Sequence, residues 1–401
     1  MRDGAAGRGG RGALLTAVSV ATAGVLPVFL TGGLSVQVRE DLDFSAARLG
    51  AAVSVYFGVS ALTSAPLGRL AGPYGLRRSL RLAAAMSGMM MLVMALAPGW
   101  WMLVLGLAGA GLANALGQPA ANGLIVNEVP QGRRALAFGV KQSAIPAATL
   151  LGGLAVPLVA LTVGWRWAFV GAAVGAAAIA IIIRPERHAP GPPAGMRPGE
   201  MPRPLEYPTL ILLGLSIAFG GGAANVLGAF VTSTAVHIGL SSGVGGWIQV
   251  AGSVLGLSVR VWLGWLVDRG RAGQLGTVAL MLLGGALGFL LVGSGFAMLF
   301  AIGVLVGYGA GWGWPGLFNY AVSQRYASAA AAATGITQSG VYIGGALGPL
   351  GFGILVEQAS YGVAWTATAA SAAVAAGGVA LVRARIGREK RAGLSPGVGR
   401  T

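Results

Sequence analysis

The chain has 401 residues, 55% of them hydrophobic and 9% charged, with a mean hydropathy of +0.75. A water-soluble fold needs more polar surface than this composition supplies, so the chain reads as an integral membrane protein. The formal charge of +16 would point to nucleic acid in a soluble chain. Here its placement at the ends of apolar segments accounts for it, and no nucleic acid partner is expected.

Apolar runs of some twenty residues recur along the chain, each long enough to cross roughly 30 Å of hydrocarbon as a helix. Nothing reads as the short alternating strands of a barrel. Zero cysteines exclude disulfides and thiol chemistry. His188 and His237 are far apart, so neither a metal site nor a cofactor is expected.

In chain order, a basic tail with Arg2, Arg8 and Arg11 precedes a first apolar run at about 13–38. Ala21-Thr22-Ala23 is similar to a signal-cleavage site, but the run is too long for a signal core and its repeat partner lies mid-chain, so it reads as a retained helix. Further spans fall near 45–69, 79–98, 100–127, 134–160 and 165–184, and then 208–236, 243–267, 273–294, 296–324, 330–357 and 361–384. The expected fold is all-α: twelve transmembrane helices in two pseudo-symmetric six-helix bundles, residues 1–184 and 208–384. A proline-rich linker, 185–207, joins them, and a tail, 385–401, follows.

The two halves repeat each other at an offset of 196 residues. Ser45 and Gly50 recur as Ser241 and Gly246, and Gly68 and Leu70 as Gly264 and Leu266. Gly117 and Pro119 recur as Gly313 and Pro315, and Gly139, Gln142 and Ser143 as Gly335, Gln338 and Ser339. Near the end the register slips by two, with Gly362 and Trp365 answering Gly164 and Trp167. One offset shared by separate segments marks a duplication.

Of the 27 lysines and arginines, 22 fall on the tails and even-numbered loops, and only Arg39, Arg48 and Arg166 on the opposite loops. By the positive-inside rule both termini and the linker are expected in the cytoplasm, with the chain in the inner membrane. The remaining two, Lys141 and Arg260, lie inside spans.

Uncharged polarity within the spans is also segregated. Span four carries Asn114, Gln118 and Asn122 at helical spacing, span five Gln142 beside Lys141, and span seven Asn225. Span eight carries Gln249, Ser253, Gly256 and Arg260 on one continuous face; span ten carries Asn319, and span eleven Thr334, Gln338 and Tyr342. Spans three, six, nine and twelve carry no such residue in their cores. For any single amide a hydrogen bond between helices is the favoured reading; the segregation points to a wet cavity that four of every six helices enclose.

Lys141, Arg260, Asn114, Gln118, Gln142, Asn225, Gln249, Asn319, Gln338 and Tyr342 are therefore the candidate substrate-binding residues. Lys141 and Arg260 each lie about seven residues, roughly 10 Å, from a span end. They either snorkel to the headgroups or face the cavity, and the continuous face of Arg260 favours the cavity. The acids Glu128, Asp268 and Glu357 all sit at span ends, so two cations in the cavity would favour an anion between them. Tyr308, Trp312 and Trp314 read equally as cavity wall or packing.

These features resemble the major facilitator superfamily over essentially the whole chain. The family's loop after span two reads roughly G-x-L-A-D-R-x-G-R-R; Gly68, Leu70, Ala71, Gly75, Arg77 and Arg78 match it, while Gly72 and Pro73 replace the acid-base pair. The loop after span eight keeps Gly264, Leu266, Asp268 and Arg269. The resemblance makes these loops latches of the cytoplasmic gate, with the second copy carrying most of the charge. Gly335, Gly344, Gly348 and Pro349 are similar to a pattern found in span five of the family's drug/proton antiporters, here in span eleven. Gly348 and Pro349 are expected to pack and bend a gating helix.

Leu105 stands where those antiporters carry an arginine, and no span interior holds an acid. The cations resemble, more weakly, those of the family's organic-anion porters, such as oxalate/formate and cyanate-permease-like members. The implied function is alternating-access transport of a small organic anion by a monomer in the bilayer, with no enzymatic step. Proton-coupled efflux of drugs or other hydrophobic solutes is the alternative. A lipid-modifying membrane enzyme and a non-transporting receptor of the same fold are the rivals from other classes.

Overall fold

The computed structural model describes residues 2–130, 133–184, 207–268, 274–326 and 330–391. Among these residues the only regular structure is helical. The first half comprises α1 (Arg2–Gly33), α2 (Ser35–Leu42), α3 (Ala46–Tyr74), α4 (Leu76–Ala95), α5 (Trp100–Glu128), α6 (Arg134–Gln142), α7 (Ala144–Ala155) and α8 (Trp165–Ile182). The second comprises α9 (Tyr207–His237), α10 (Ser242–Asp268), α11 (Gln274–Val292), α12 (Ala297–Val306), α13 (Pro315–Arg325), α14 (Ala330–Gln358) and α15 (Tyr361–Arg391). α15 runs on past residue 384, so part of the expected tail is helix.

Among the described residues, eleven helical segments are long and apolar enough to cross a membrane. The third expected span, α4, has 20 residues, and Arg77, Arg78 and Arg81 in its first two turns lower its hydropathy. α3 passes straight into α4 at Gly75, whose φ of 103° only glycine adopts without strain. The other end of α3 starts on Ser45, whose hydroxyl accepts the Arg48 N–H at 3.3 Å.

Two expected spans are not single α-helices. Span five breaks at Ser143 between α6 and α7 and continues as a π-helical turn over Val156–Ala160. Span ten is α12, a π-helical turn over Gly307–Gly311, a break, and α13 opening on Pro315. Pro146 and Pro315 are the local cause, because each lacks the N–H that would bond four residues back.

Across the midline α3 packs on α14, α7 on α10 and α1 on α9, while α4 and α8 flank one half and α11 and α15 the other. One apolar core, holding Phe29, Leu34, Tyr56, Phe230, Phe289 and Trp365, is common to both halves at the end carrying the 34–45 loop. At the opposite end, rich in arginine, the core divides: Leu80, Leu124 and Val129 belong to one cluster, Leu213, Phe318 and Val379 to another. The halves are thus joined at one end and parted at the basic end.

Glycines permit the joining. A Cβ at Gly50 would lie 2.2 Å from the Pro349 carbonyl oxygen, and one at Gly32 would lie 2.5 Å from that of Gly228. Both are contacts of backbone on backbone between halves.

Candidate functional site

The polar residues of the first half form one hydrogen-bonded run. Ser60 donates to the Gly111 carbonyl at 3.0 Å and accepts from Asn114 at 3.3 Å. The Asn114 carbonyl accepts from Gln118 at 3.1 Å, and the Gln118 carbonyl accepts from the Lys141 ammonium. The i, i+4 spacing of Asn114 and Gln118 on α5 aligns the two amides, and α6 brings Lys141 to their end. Lys141 is only 4% exposed. Tyr342, from α14 in the other half, faces Asn114 and Ser64.

Arg260 on α10 is 7% exposed and joins the same neighbourhood from the second half. Its Nη1 donates to the Gln142 carbonyl at 2.5 Å, while Nε and Nη2 donate to the Trp312 carbonyl at 3.2 and 2.5 Å. Both cations are thus tied to the last turn of α6: Lys141 stands on it, and Arg260 holds the main chain of the residue after it. Both are buried among protein groups, and their acceptors are neutral amides. Neither belongs to an ion pair among the described residues; Arg77–Glu128 and Arg166–Asp41 are the pairs seen there.

Other candidates have more limited placements. Gln142 takes part through its carbonyl. Asn225 donates to the Gly221 carbonyl of its own helix at 2.8 Å. Gln249 is fully buried: its amide donates to the Thr149 carbonyl at 3.0 Å and accepts from Thr232 at 3.3 Å, which ties the halves together. Asn319 on α13 and Gln338 on α14 are half-buried.

Of the gating candidates, Gly68 packs on Pro119 and Gly264 has open space around it. Arg77 makes a bidentate bridge to Glu128, with Nη2 at 2.9 and 2.7 Å from the two carboxylate oxygens. The first copy's acid thus comes from the end of α5, a partner no linear motif shows. Arg78 lies beside Arg77 in the first turn of α4. Gly348 packs on Gly222, and Pro349 lies inside α14, which continues through it, and presents its carbonyl to Gly50. Arg269 lies outside the described residues, as does the side chain of Asp268.

Sequence reasoning missed the contacts that close the end opposite the arginines. Ser35 and Ser233 hydroxyls lie 2.7 Å apart, Gln37 donates to Ser242 at 2.9 Å, and Ser54 donates to the Ala346 carbonyl. The Thr149 and Ser253 hydroxyls are 2.9 Å apart. Glu357, at the end of α14, accepts the Ala47 N–H in the first turn of α3 at 2.7 Å. A recess of about 280 Å³ at this closed end is lined by Arg39, Ser233, His237 and Tyr361, away from the two cations. Among the described residues no three His, Asp or Glu side chains converge as a metal site would require.

The family model of the major facilitator superfamily matches residues 12–349. The chain belongs to the major facilitator superfamily. Solved structures agree on the fold. One is a bacterial homolog to the human lysosomal transporter Spinster, in an inward-facing and occupied conformation; it is 17% identical, with a TM-score of 0.69 over 92% of this chain and 96% of that one. A bacterial homolog to the human lysosomal transporter Spinster in an inward-facing and unoccupied conformation is 16% identical, with a TM-score of 0.66 over 94% of this chain and 95% of that one. No curated protein matches the sequence. The major facilitator fold makes this a multi-pass membrane protein that transports by alternating access between its two bundles.

Proposed function

We propose that this superfamily member carries a small organic anion, by exchange or facilitated diffusion, through the seam between residues 1–184 and 208–384. The observation that supports it is the pair of buried cations: Lys141 stands on the last turn of α6, Arg260 reaches that turn from the other half, and their acceptors are neutral. Neutral acceptors solvate a cation without cancelling its charge. A carboxylate entering the seam would gain charge-assisted hydrogen bonds from a point-charge ammonium and a forked guanidinium. Asn114, Gln118, Gln338 and Tyr342 line its path, and the latch residues Arg77, Arg78, Asp268 and Arg269 close the basic end in the alternate state.

In this reading the basic end, with both termini and the linker, faces the cytoplasm of the inner membrane, and the monomer is the working unit. Proton-coupled drug efflux is the less favoured reading, because no carboxylate lies mid-span among the described residues. Counterflow of radiolabelled organic anions in proteoliposomes tests the proposal. Lys141→Met is expected to abolish counterflow of the carried anion, and Lys141→Arg to retain part of it. Equal transport by Lys141→Met and the parent would refute the anionic site. Uptake that needs a pH gradient and alkalinises the medium would refute exchange.

A further inference from the structure

In an unbroken helix the N–H of residue 146 would donate to the carbonyl of residue 142. Pro146 has no N–H, so it leaves the Gln142 carbonyl without its helical donor. Arg260 supplies the replacement from the other half of the protein, through Nη1 at 2.5 Å. A second proline break is repaired differently: Pro315 orphans the Gly311 carbonyl, which accepts the Trp314 indole N–H at 2.8 Å within the same half. Only the repair at Gln142 crosses the seam.

The geometry of the fork divides its tasks. Nε and Nη2 both hold the Trp312 carbonyl, anchoring the guanidinium to the half that carries α10. Nη1 alone reaches across to α6. That crossing bond lies at the border between the shared core, which holds Trp312, and the basic end, where Phe138 and Leu317 fall in separate clusters. Relative motion of the halves there must break it, and a buried guanidinium N–H gives up an acceptor readily only when another replaces it. An oxyanion is the stronger acceptor, because its bond to guanidinium is charge-assisted on both sides.

We propose that Arg260 is a removable strap between the bundles, seated on the carbonyl that Pro146 vacates, and that an oxyanion in the seam takes over the same N–H. Pro146 is then a positioning residue: it frees the Gln142 carbonyl, which holds the fork when the carrier is empty and competes with solute for it. The exchange step rests on the anion reading above; the strap itself does not.

The absence of cysteine from the chain makes the test direct. Nitroxide labels at Gly139→Cys on α6 and Gly335→Cys on α14 report the width of the basic end, and an added side chain at either position meets nothing within 4 Å. The full chain in lipid nanodiscs is measured by pulsed EPR without solute. Pro146→Ala, which restores the helical donor, and Arg260→Gln are each expected to lengthen the distance distribution. Their double variant is expected to add nothing beyond either one. Arg260→Lys should lengthen it as well, since an ammonium lacks the fork, and Pro66→Ala in α3 should leave it unchanged. A Pro146→Ala distribution identical to the parent's, or additive shifts, overturns the strap.

Formate, succinate and benzoate then serve as probe anions. One of them is expected to lengthen the parent's distribution, with Pro146→Ala lowering its half-effective concentration roughly tenfold. A strap confirmed without solute, together with no response to any probe, keeps the strap and overturns the oxyanion exchange.

Discussion

Gly50→Ala should open the joined end of the molecule. The added methyl would lie 2.2 Å from the Pro349 carbonyl oxygen and 2.8 Å from its carbon. Carbon–oxygen contacts settle at about 3.3 Å, so α3 and α14 must separate by roughly 1 Å at this level. Overpacking of this kind costs about 1–3 kcal/mol. The cost falls on the joined conformer alone, because the two helices belong to different halves and move apart in the alternate state. At about 1.4 kcal/mol per decade, the ratio of open to joined molecules should rise roughly 5- to 150-fold.

Ser35→Cys with Ser233→Cys supplies the assay, since their hydroxyls are 2.7 Å apart across the seam. Oxidative cross-linking of this pair reads the joined population, and Gly50→Ala should slow it, by up to the same factor where open molecules predominate. Gly58→Ala, on the same helix in open space, should not. An unchanged cross-linking rate in Gly50→Ala would refute the reasoning. So would a fall in thermal stability with no loss of cross-linking, which would place the cost within one bundle.

Two further outcomes follow from named contacts. Glu357→Gln removes a charge from the positive N-terminal end of α3, where the carboxylate accepts the Ala47 N–H at 2.7 Å. An exposed charge there is worth about 0.3–1 kcal/mol, so the same cross-linking should slow up to about fivefold, and high salt should shrink the difference; a salt-independent effect would assign it to packing. Trp314→Phe leaves the buried Gly311 carbonyl without its donor, and thermal melts should show a loss of about 1–3 kcal/mol. Pro315→Ala on that background should recover it by restoring the helical N–H, and failure to recover would make the indole a matter of volume alone.

Helix placement and the duplication were legible in the chain because both are local or periodic quantities. A bilayer demands about twenty apolar residues per crossing, and a repeated offset needs no knowledge of contacts. Gln249 and Asn225 show the limit of that reading. Both are amides at plausible cavity positions, yet one staples the halves and the other bonds its own helix. Composition assigns each a cost of burial but not a partner.

The interruptions at Ser143 and Trp312 were implicit in Pro146 and Pro315, since a missing N–H is a property of the residue itself. Which donor would fill each vacancy was not. Trp314 serves Gly311 from three residues away, whereas Arg260 reaches Gln142 across 118 residues of chain. Membrane insertion, the placement of the spans and the two cations within them were thus determined by the sequence alone, through hydropathy and charge placement. Which end is closed, and what surrounds those cations, only the tertiary structure decided. Both depend on how the two bundles meet, and residues meeting across a seam leave no period along the chain.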